Sequence, residues 1–466
     1  MSCNIRIVST YPLRKCGIGT FSRDLATALE QFTGEVGSIR IAAIDNENGS
    51  YNIPVDLVID QYDPRSWRYC IKDILARASE STNPTVVLLQ HEYGLDPDEN
   101  GNDGDGTNFV DMAKAFHQKG LTTLAYLHTI LDDPDPHQRQ TIQDLASYSN
   151  GLIVTTEKAI ELLESNVYGI DHLKLKHIDH GIRMQHRSQY DRLKIKEEYG
   201  LKDIFLVTTL GLLTPDKGIH YGISGYGRFL NESCTQNQKN RLLYLIAGQY
   251  HPDFIKAENA QDHTEYQQLL CQTLKEYRLR WCKTKTLREV KFEDYDVVFL
   301  DTFIDETVLL KLYSATNVML LPYLNMFQTS SGILADTIGA GRVAIATKFM
   351  YAVELIHSNK PCPKGLVIGR HARGILIDPG VPSIEQIAQA LDYLVFSKDA
   401  RLKMEKQAHQ RGYQMRWKNT AWGLLQYIDF VKETKSLVTG RIIEFNRERP
   451  SAFQKSCSTN DEPVDN

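Results

Sequence analysis

The sequence predicts an α/β protein built from two doubly wound domains, and three observations predict it. Short β-branched or leucine-rich runs alternate with amphipathic helical stretches through both halves of the chain. Each half opens with a strand, a glycine-bearing loop and a helix: 5–10 runs into YPLRKCGIG, and 204–209 into GLLTPDKGI. The length of 466 residues exceeds one ordinary core and suits two or three domains.

Composition narrows the function classes. Hydrophobic residues at 42% and charged residues at 24% are those of a globular chain in water. A formal net charge of -5 argues against a nucleic-acid surface while leaving room for a local basic cleft. The 8 cysteines (Cys3, Cys16, Cys70, Cys234, Cys271, Cys282, Cys362, Cys457) contain no C-x-x-C pair, so neither a zinc site nor a disulfide framework is expected. A reducing, cytoplasmic setting fits them. The first residues, MSCNIRIVSTYP, lack the apolar core of a signal peptide and read as a strand. No run approaches the ~18 apolar residues that span a bilayer, which leaves peripheral contact with a membrane surface open.

After the first strand, Phe21, Leu25, Ala28, Leu29 and Phe32 share one helical face. Gly17 and Gly19 let the loop backbone approach a ligand closely, although the third glycine of a dinucleotide fingerprint is missing. Strands are expected at 41–44, 55–59, 85–90, 122–126 and 151–155. His91 and Glu92 follow the third of these, His128 and Thr129 the fourth, and Thr155, Thr156 and Glu157 the fifth. A lone histidine is usually a hydrogen-bonded structural residue, but two at the ends of neighbouring strands favour a site. The acidic loop 96–108, DPDENGNDGDGTN, begins like a calcium loop at Asp96, Asp98 and Asn100, yet its twelfth position is Thr107 where a bidentate glutamate belongs. It reads as a mobile, solvated loop beside a cleft, and no metal is expected.

A domain boundary falls near 181–203, after HIDHGI and through the charged helical stretch 192–199. Strands follow at 204–209, 242–247, 297–300 and 318–321, with a polar, basic insertion around 274–292. Lys217 sits in a turn between strand and helix, where an ammonium and backbone amides can hold a phosphate together. The stretch 328–347, QTSSGILADTIGAGRVAIAT, then gives a polar turn, a short apolar helix, a glycine stop and a buried strand. Free amides at such a helix N-terminus favour an anion, and Asp336, a turn further on, offers a carboxylate to hydroxyls of the same ligand. That spacing suits a nucleotide diphosphate-sugar. Near the end, Ser383 with Gln386 forms a capping box on a face of Ile384, Ile387, Leu391 and Leu394. Helices run to about 434 with Trp417, Trp422, Tyr427 and Phe430 as core, and 451–466 reads as disordered.

Taken together, YPLRKCGIGTF, LHTI, GLLTPDKGI, IAGQYHPDF, LPYLNMFQTSSGILADTIGAGRVAIAT and GILIDPGVPSIEQIAQAL resemble a retaining GT-B-fold glycosyltransferase of family 4 over roughly residues 1 to 430. The resemblance implies two Rossmann-like domains facing across a cleft: 1–183 on the acceptor side, 184–405 holding the nucleotide-sugar, 406–434 crossing back, and 435–466 as a tail. It implies that Gly17 and Gly19 meet the donor diphosphate, that His128 lies near the transferred sugar, and that Lys217 neutralises the leaving phosphate. Ser330, Ser331 and Gly332 would bind phosphate or sugar hydroxyls through their amides, Asp336 the ribose, and Gln328 would join His128 and Lys217 as a catalytic residue. Arg14, His91 and Glu92 are further candidate contacts for phosphate or acceptor. No cofactor beyond the nucleotide-sugar donor is implied, and the acceptor is a sugar or glycoconjugate. The chain departs from the family at Gln328 and Asp336, where an E-x7-E pair is usual, and at Leu212, where many relatives have an arginine. Those departures keep two alternatives open: a disaccharide phosphorylase using sugar 1-phosphate, and a catalytically silent GT-B binding subunit.

Overall fold

The computed structural model describes residues 2–447 except 15, 47–48, 184–190, 257–258, 358–367 and 370. Cys362, Cys457 and the tail segment 451–466 lie outside the described residues.

The first domain runs β1 (Cys3–Ser9), α1 (Gly17–Leu29), β2 (Val36–Asp45), β3 (Val55–Asp60), α2 (Pro64–Glu80) and β4 (Thr85–His91). It continues with α3 (Asn108–Gln118), β5 (Thr122–Leu127), α4 (Pro136–Tyr148), β6 (Gly151–Val154), α5 (Glu157–Glu164) and β7 (Leu175–His177). The second comprises α6 (Arg192–Glu198), β8 (Phe205–Leu210), α7 (Ile219–Ser233), α8 (Gln236–Lys239), β9 (Leu242–Ala247), α9 (Ala260–Glu276), β10 (Trp281–Thr284) and β11 (Val297–Leu300). Next come α10 (Glu306–Ala315), β12 (Val318–Leu321), α11 (Gly332–Gly339), β13 (Val343–Thr347), α12 (Met350–Ile356) and β14 (Gly374–Ile377). Helices α13 (Pro382–Phe396), α14 (Lys398–Gln414) and α15 (Trp417–Arg447) close the chain.

Each domain holds one parallel sheet of 7 strands, ordered β3-β2-β1-β4-β5-β6-β7 and β10-β11-β9-β8-β12-β13-β14. Parallel strands need both faces covered, so their sequences read as unbroken apolar runs. In the second domain α7, α9 and α13 cover one face, and α6, α10, α11, α12 and α14 the other. In the first, α2 to α5 cover one face. The other is covered by α1 and, from the far end of the chain, by Ala421, Leu424, Tyr427 and Ile428 of α15. The last helix crosses back because β4, β5 and β6 otherwise expose Leu88, Leu124, Tyr126 and Ile153 on that face. Tyr427 fixes the crossing by donating to the Lys174 carbonyl at 2.9 Å.

Both sheets reverse strand order at their centre, between β1 and β4 and between β8 and β12, and the second also places β11 inside β10 at its edge. A crevice opens at such switch points beyond the strands' C-terminal ends. The segments leaving it are the loop into α1, the residues after β4, the Lys217 turn and the approach to α11.

Several local expectations need correction. The capping box at Ser383 does not form: Val381 is the N-cap, Ser383 donates to the Gly380 carbonyl at 2.6 Å, and Gln386 bonds Asp378 instead. Trp422 and Phe430 are not core but 44% and 49% exposed, because α15 buries only the stripe facing the sheet. The acidic loop is tied down from within. Buried Asp96 accepts from the Asn108 and Phe109 amides at 3.0 and 3.2 Å, and Asp98 gathers the Asn100 and Asn102 amides, both at 2.8 Å. Among the described residues no group of three His, Cys, Asp or Glu side chains is placed to hold a metal, and no helix is long and apolar enough to cross a membrane.

Candidate active site

The second domain's wall is built around α11. Ser331 is its N-cap, accepting from the Leu334 amide at 3.3 Å, so its hydroxyl organises the turn and leaves exposed Gly332 as the first helical residue. Gln328 is spent in the same way, its side-chain amide donating to the Ser330 carbonyl at 2.7 Å. Lys217 closes a single turn of 3-10 helix, and Gly218 follows with φ 62, a left-handed conformation. The ammonium lies 4.2 Å from the centre of the Tyr323 ring and 3.9 Å from the Asp216 carboxylate. Tyr323 is in turn hydrogen bonded to the Ser331 side chain. Cation and helix N-terminus therefore share one spot at the switch point.

The first domain's wall is the start of α1. No side chain caps this helix at Cys16, and a Cβ on Gly17 would meet nothing within 4 Å. Gly19 differs: a Cβ there would press on the Tyr11 backbone at 3.2 Å, so its lack of a side chain serves loop packing. Phe21 is the hub behind them, with its ring centre 5.0 Å from His128 and 5.1 Å from His180. His128 is 7% exposed, stacks on Tyr126 and shares a 2.6 Å hydrogen bond with Gln90. Burial, helped by His180 and His91, pushes its imidazole down to about 3, so it works as a neutral group. Its carbonyl accepts from the Thr329 and Ser330 hydroxyls at 2.9 and 3.3 Å, stitching the two walls together at the cleft floor.

The remaining candidates separate. His91 does not reach the cleft: it is fully buried against Tyr93 and Phe109, with neither ring nitrogen paired. The inward pleat of the last β4 residue points it into the core. Glu92 is half-buried, accepting from Thr129 at 2.7 Å and from the Tyr93 amide at 3.1 Å. Arg14 donates to Gln61 at 2.6 Å, and Gln61 ties on to the Gly94 carbonyl and Asp103.

Asp336 sits in a setting that the sequence did not announce. It accepts a hydrogen bond from the Arg183 backbone amide, beside Asp24 and Glu306. Arg183 bonds Asp24 and reaches Glu306 at 2.9 Å, and Arg23 spans the same two acids at 2.8 and 2.9 Å. An ionic bridge thus joins α1, the segment after β7 and α10 across the cleft. His180, also missed, donates from Nδ1 to the Gly181 carbonyl at 2.7 Å and turns Nε2 toward Gly332. HIDHGIR was visible as a segment, but nothing in it marked which side chain meets α11. Behind the cleft, Glu354 of α12 accepts from the Glu157 amide at 2.9 Å, and Thr155 donates to the Thr329 carbonyl at 2.8 Å. Burial alone would lower the neighbouring His177, but Asp179, Glu157 and Glu354 outweigh it and raise it to about 9.

Burial pushes the Asp336 carboxyl up to about 7, against which Arg183 acts only partly. The folded chain thus keeps a proton that the unfolded chain releases near the ordinary value of 3.8, and stability falls as pH rises through that window. Asp336→Asn should remove the dependence. Its unfolding free energy should match the parent's near pH 4 and exceed it near pH 8 by on the order of 1–2 kcal/mol, allowing for partial exposure. Equal differences at both pH values would contradict the assignment.

No protein-family model matches the chain, and no curated protein sequence matches it. Solved structures do. HepE of Anabaena, in complex with UDP and glucose, aligns with TM-score 0.62 at 13% identity, over 92% of this chain and 99% of that one. Sucrose-phosphate synthase from Thermosynechococcus elongatus aligns with TM-score 0.63 at 14% identity, covering 93% and 100%. A structure described as trehalose-6-phosphate from E. coli, bound with UDP-2-fluoro glucose, gives TM-score 0.62 at 11% identity, covering 92% and 99%. The chain has the GT-B fold, two Rossmann-like domains facing across a cleft.

Proposed function

We propose that the protein is a cytoplasmic, retaining glycosyltransferase that moves a hexose from a nucleotide diphosphate-sugar to a hydroxyl of a sugar or glycoconjugate. One observation carries this reading. The Lys217 ammonium and the free amides of α11 meet at the switch point, opposite the uncapped, open N-terminus of α1. Three sources of positive potential around one gap suit a diphosphate. The UDP and UDP-sugar complexes of the similarly folded proteins support the same ligand class.

In this scheme Asp336 takes the ribose hydroxyls, and Gly17, Gly19, Ser330, Ser331 and Gly332 surround the diphosphate and sugar. The anomeric C–O bond breaks toward the diphosphate, and Lys217 with the α11 amides stabilises the charge gathering there. The acceptor oxygen bonds to the anomeric carbon from the same face, and its proton passes to the departing phosphate oxygen, so configuration is retained. His128, held neutral, orients the sugar. Gln328 acts by keeping the 328–331 turn in shape.

A silent binding subunit is the second reading, favoured because the Gln328 amide is already committed to Ser330. Titrating the purified chain with UDP-, GDP- and ADP-sugars separates them. Saturable binding with slow donor hydrolysis is expected for the transferase, and binding without turnover for any acceptor would indicate the silent form. Indifference to every nucleotide-sugar would sink both, and phosphate-dependent cleavage of a disaccharide would point to a phosphorylase.

A further inference from the structure

Four cations gather at the floor of the second domain, at the N-terminal ends of β8 and β12. The cleft lies beyond the opposite ends, about 20 Å away along the six residues of β8. Arg192 and Lys196 come from α6, Arg342 from the turn into β13 and Arg401 from α14. Three converge on the turn between α10 and β12. Arg192 donates to the Thr316 carbonyl at 3.4 Å, Arg342 to those of Tyr313 and Ser314 at 3.1 and 2.9 Å, and Lys196 to the Asn317 side chain and the Ile204 carbonyl. Arg401 caps the Leu394 carbonyl and lies 4.9 Å over the Phe205 ring, one turn before Glu405. Lys196 is 4% exposed and Arg401 9%.

The charges do not cancel. Among the described residues Glu405 is the one carboxylate paired with the cluster, 2.8 Å from Arg192. The C-termini of α10 and α13 offset roughly half a charge each, which leaves about two positive charges uncompensated in a poorly solvated place. The strain is legible on the lysine: burial, then Arg192, Arg342 and Arg401, lower Lys196 to about 7. Even a neutral Lys196 leaves an excess. Two guanidinium groups also have work to spare, since Arg192 Nε and Arg401 Nε are buried without an acceptor. Buried donors are rarely left so.

We propose that this floor is an anion site for a small oxyanion of the phosphate class, held by Arg192, Lys196 and Arg401. The site is separate from the cleft and does not depend on the transferase reading. Arg192, with 21% of its side chain exposed, is the entry.

The test uses the full chain carrying Lys217→Ala, so that the cleft contributes little, with inorganic phosphate compared against chloride at matched ionic strength. Phosphate should raise the thermal midpoint saturably, by about 3–5 °C well above its dissociation constant. Arg192→Gln should weaken that response at least tenfold. Lys196→Met should abolish the response while raising the midpoint in chloride, because it removes excess buried charge; a lysine serving only as a carbonyl cap would lower that midpoint. Glucose 6-phosphate binding more tightly than phosphate would identify a phosphorylated metabolite as occupant, and equal affinity the inorganic ion. No saturable response, or one that both variants leave intact, overturns the proposal. If either variant fails to fold, direct calorimetry of phosphate binding to the Lys217→Ala chain decides alone: one saturable site is required.

Discussion

Lys217→Ala should weaken nucleotide diphosphate-sugar binding by about 10- to 100-fold and slow turnover by about 100- to 1,000-fold, with little change in thermal midpoint. The asymmetry follows from what the side chain does. In the absence of ligand its ammonium has a 3.9 Å approach to Asp216 and the face of Tyr323, interactions worth little at a partly exposed position. Facing a diphosphate it becomes the main fixed cation beside α11, because Leu212 in the same loop carries no charge. Charge on the leaving group grows as the bond to the sugar breaks, so the lysine contributes more to the transition state than to the bound donor. Calorimetry against UDP-sugars and single-turnover kinetics measure the two losses separately. Equal donor affinity and turnover in parent and variant would place the diphosphate elsewhere.

Much of the scaffold was legible because parallel strands covered on both faces leave continuous apolar runs, as in 242–247 and 297–300, which became β9 and β11 with those bounds. The strands that escaped are short or edge elements. β7 has three residues, and β10, WCKT, alternates exposed and half-buried positions inside a basic stretch. Tertiary cover defines them, and periodicity cannot see it. The candidate site divides along a similar line. Motifs local in sequence, such as the Lys217 turn and the α11 entrance, could be described from spacing alone. Contacts between distant segments could not: Arg183 meets Asp24 across 159 residues, and Thr329 meets His128 across 201. Histidines illustrate the ambiguity most sharply. His91 and His128 both end neighbouring strands, yet one packs in the core with neither nitrogen paired and the other bonds Gln90 while its carbonyl holds the 329–330 turn, and His180 gave no periodic signal at all.

The two kinds of glycine in the cleft make opposite predictions, and Gly218→Ala is the more severe. Gly218 combines φ 62 with a position from which an added Cβ would stand 2.0 Å from the Pro322 carbonyl oxygen. Both partners are backbone, and neither can swing aside like a side chain. The left-handed conformation costs an alanine about 1 kcal/mol, and relieving the clash means prising the 215–218 turn from the 322–324 segment, where Leu324 donates to the Asp216 carbonyl at 2.7 Å. A total of about 3 kcal/mol or more is expected, lowering the second domain's melting transition by roughly 6–12 °C. Because Lys217 is the preceding residue, the molecules that remain folded should also lose donor affinity to nearly the extent of Lys217→Ala. Gly17→Ala should do the reverse. Its Cβ meets no protein atom within 4 Å, so the melting transition should stay within about 1 °C of the parent, while a methyl group at the open N-terminus of α1 obstructs the diphosphate. Thermal melts paired with donor titrations distinguish the two. A stable Gly218→Ala with normal donor binding would mean that the Lys217 turn is not held as described, and unchanged donor binding in Gly17→Ala would remove α1 from the donor's wall.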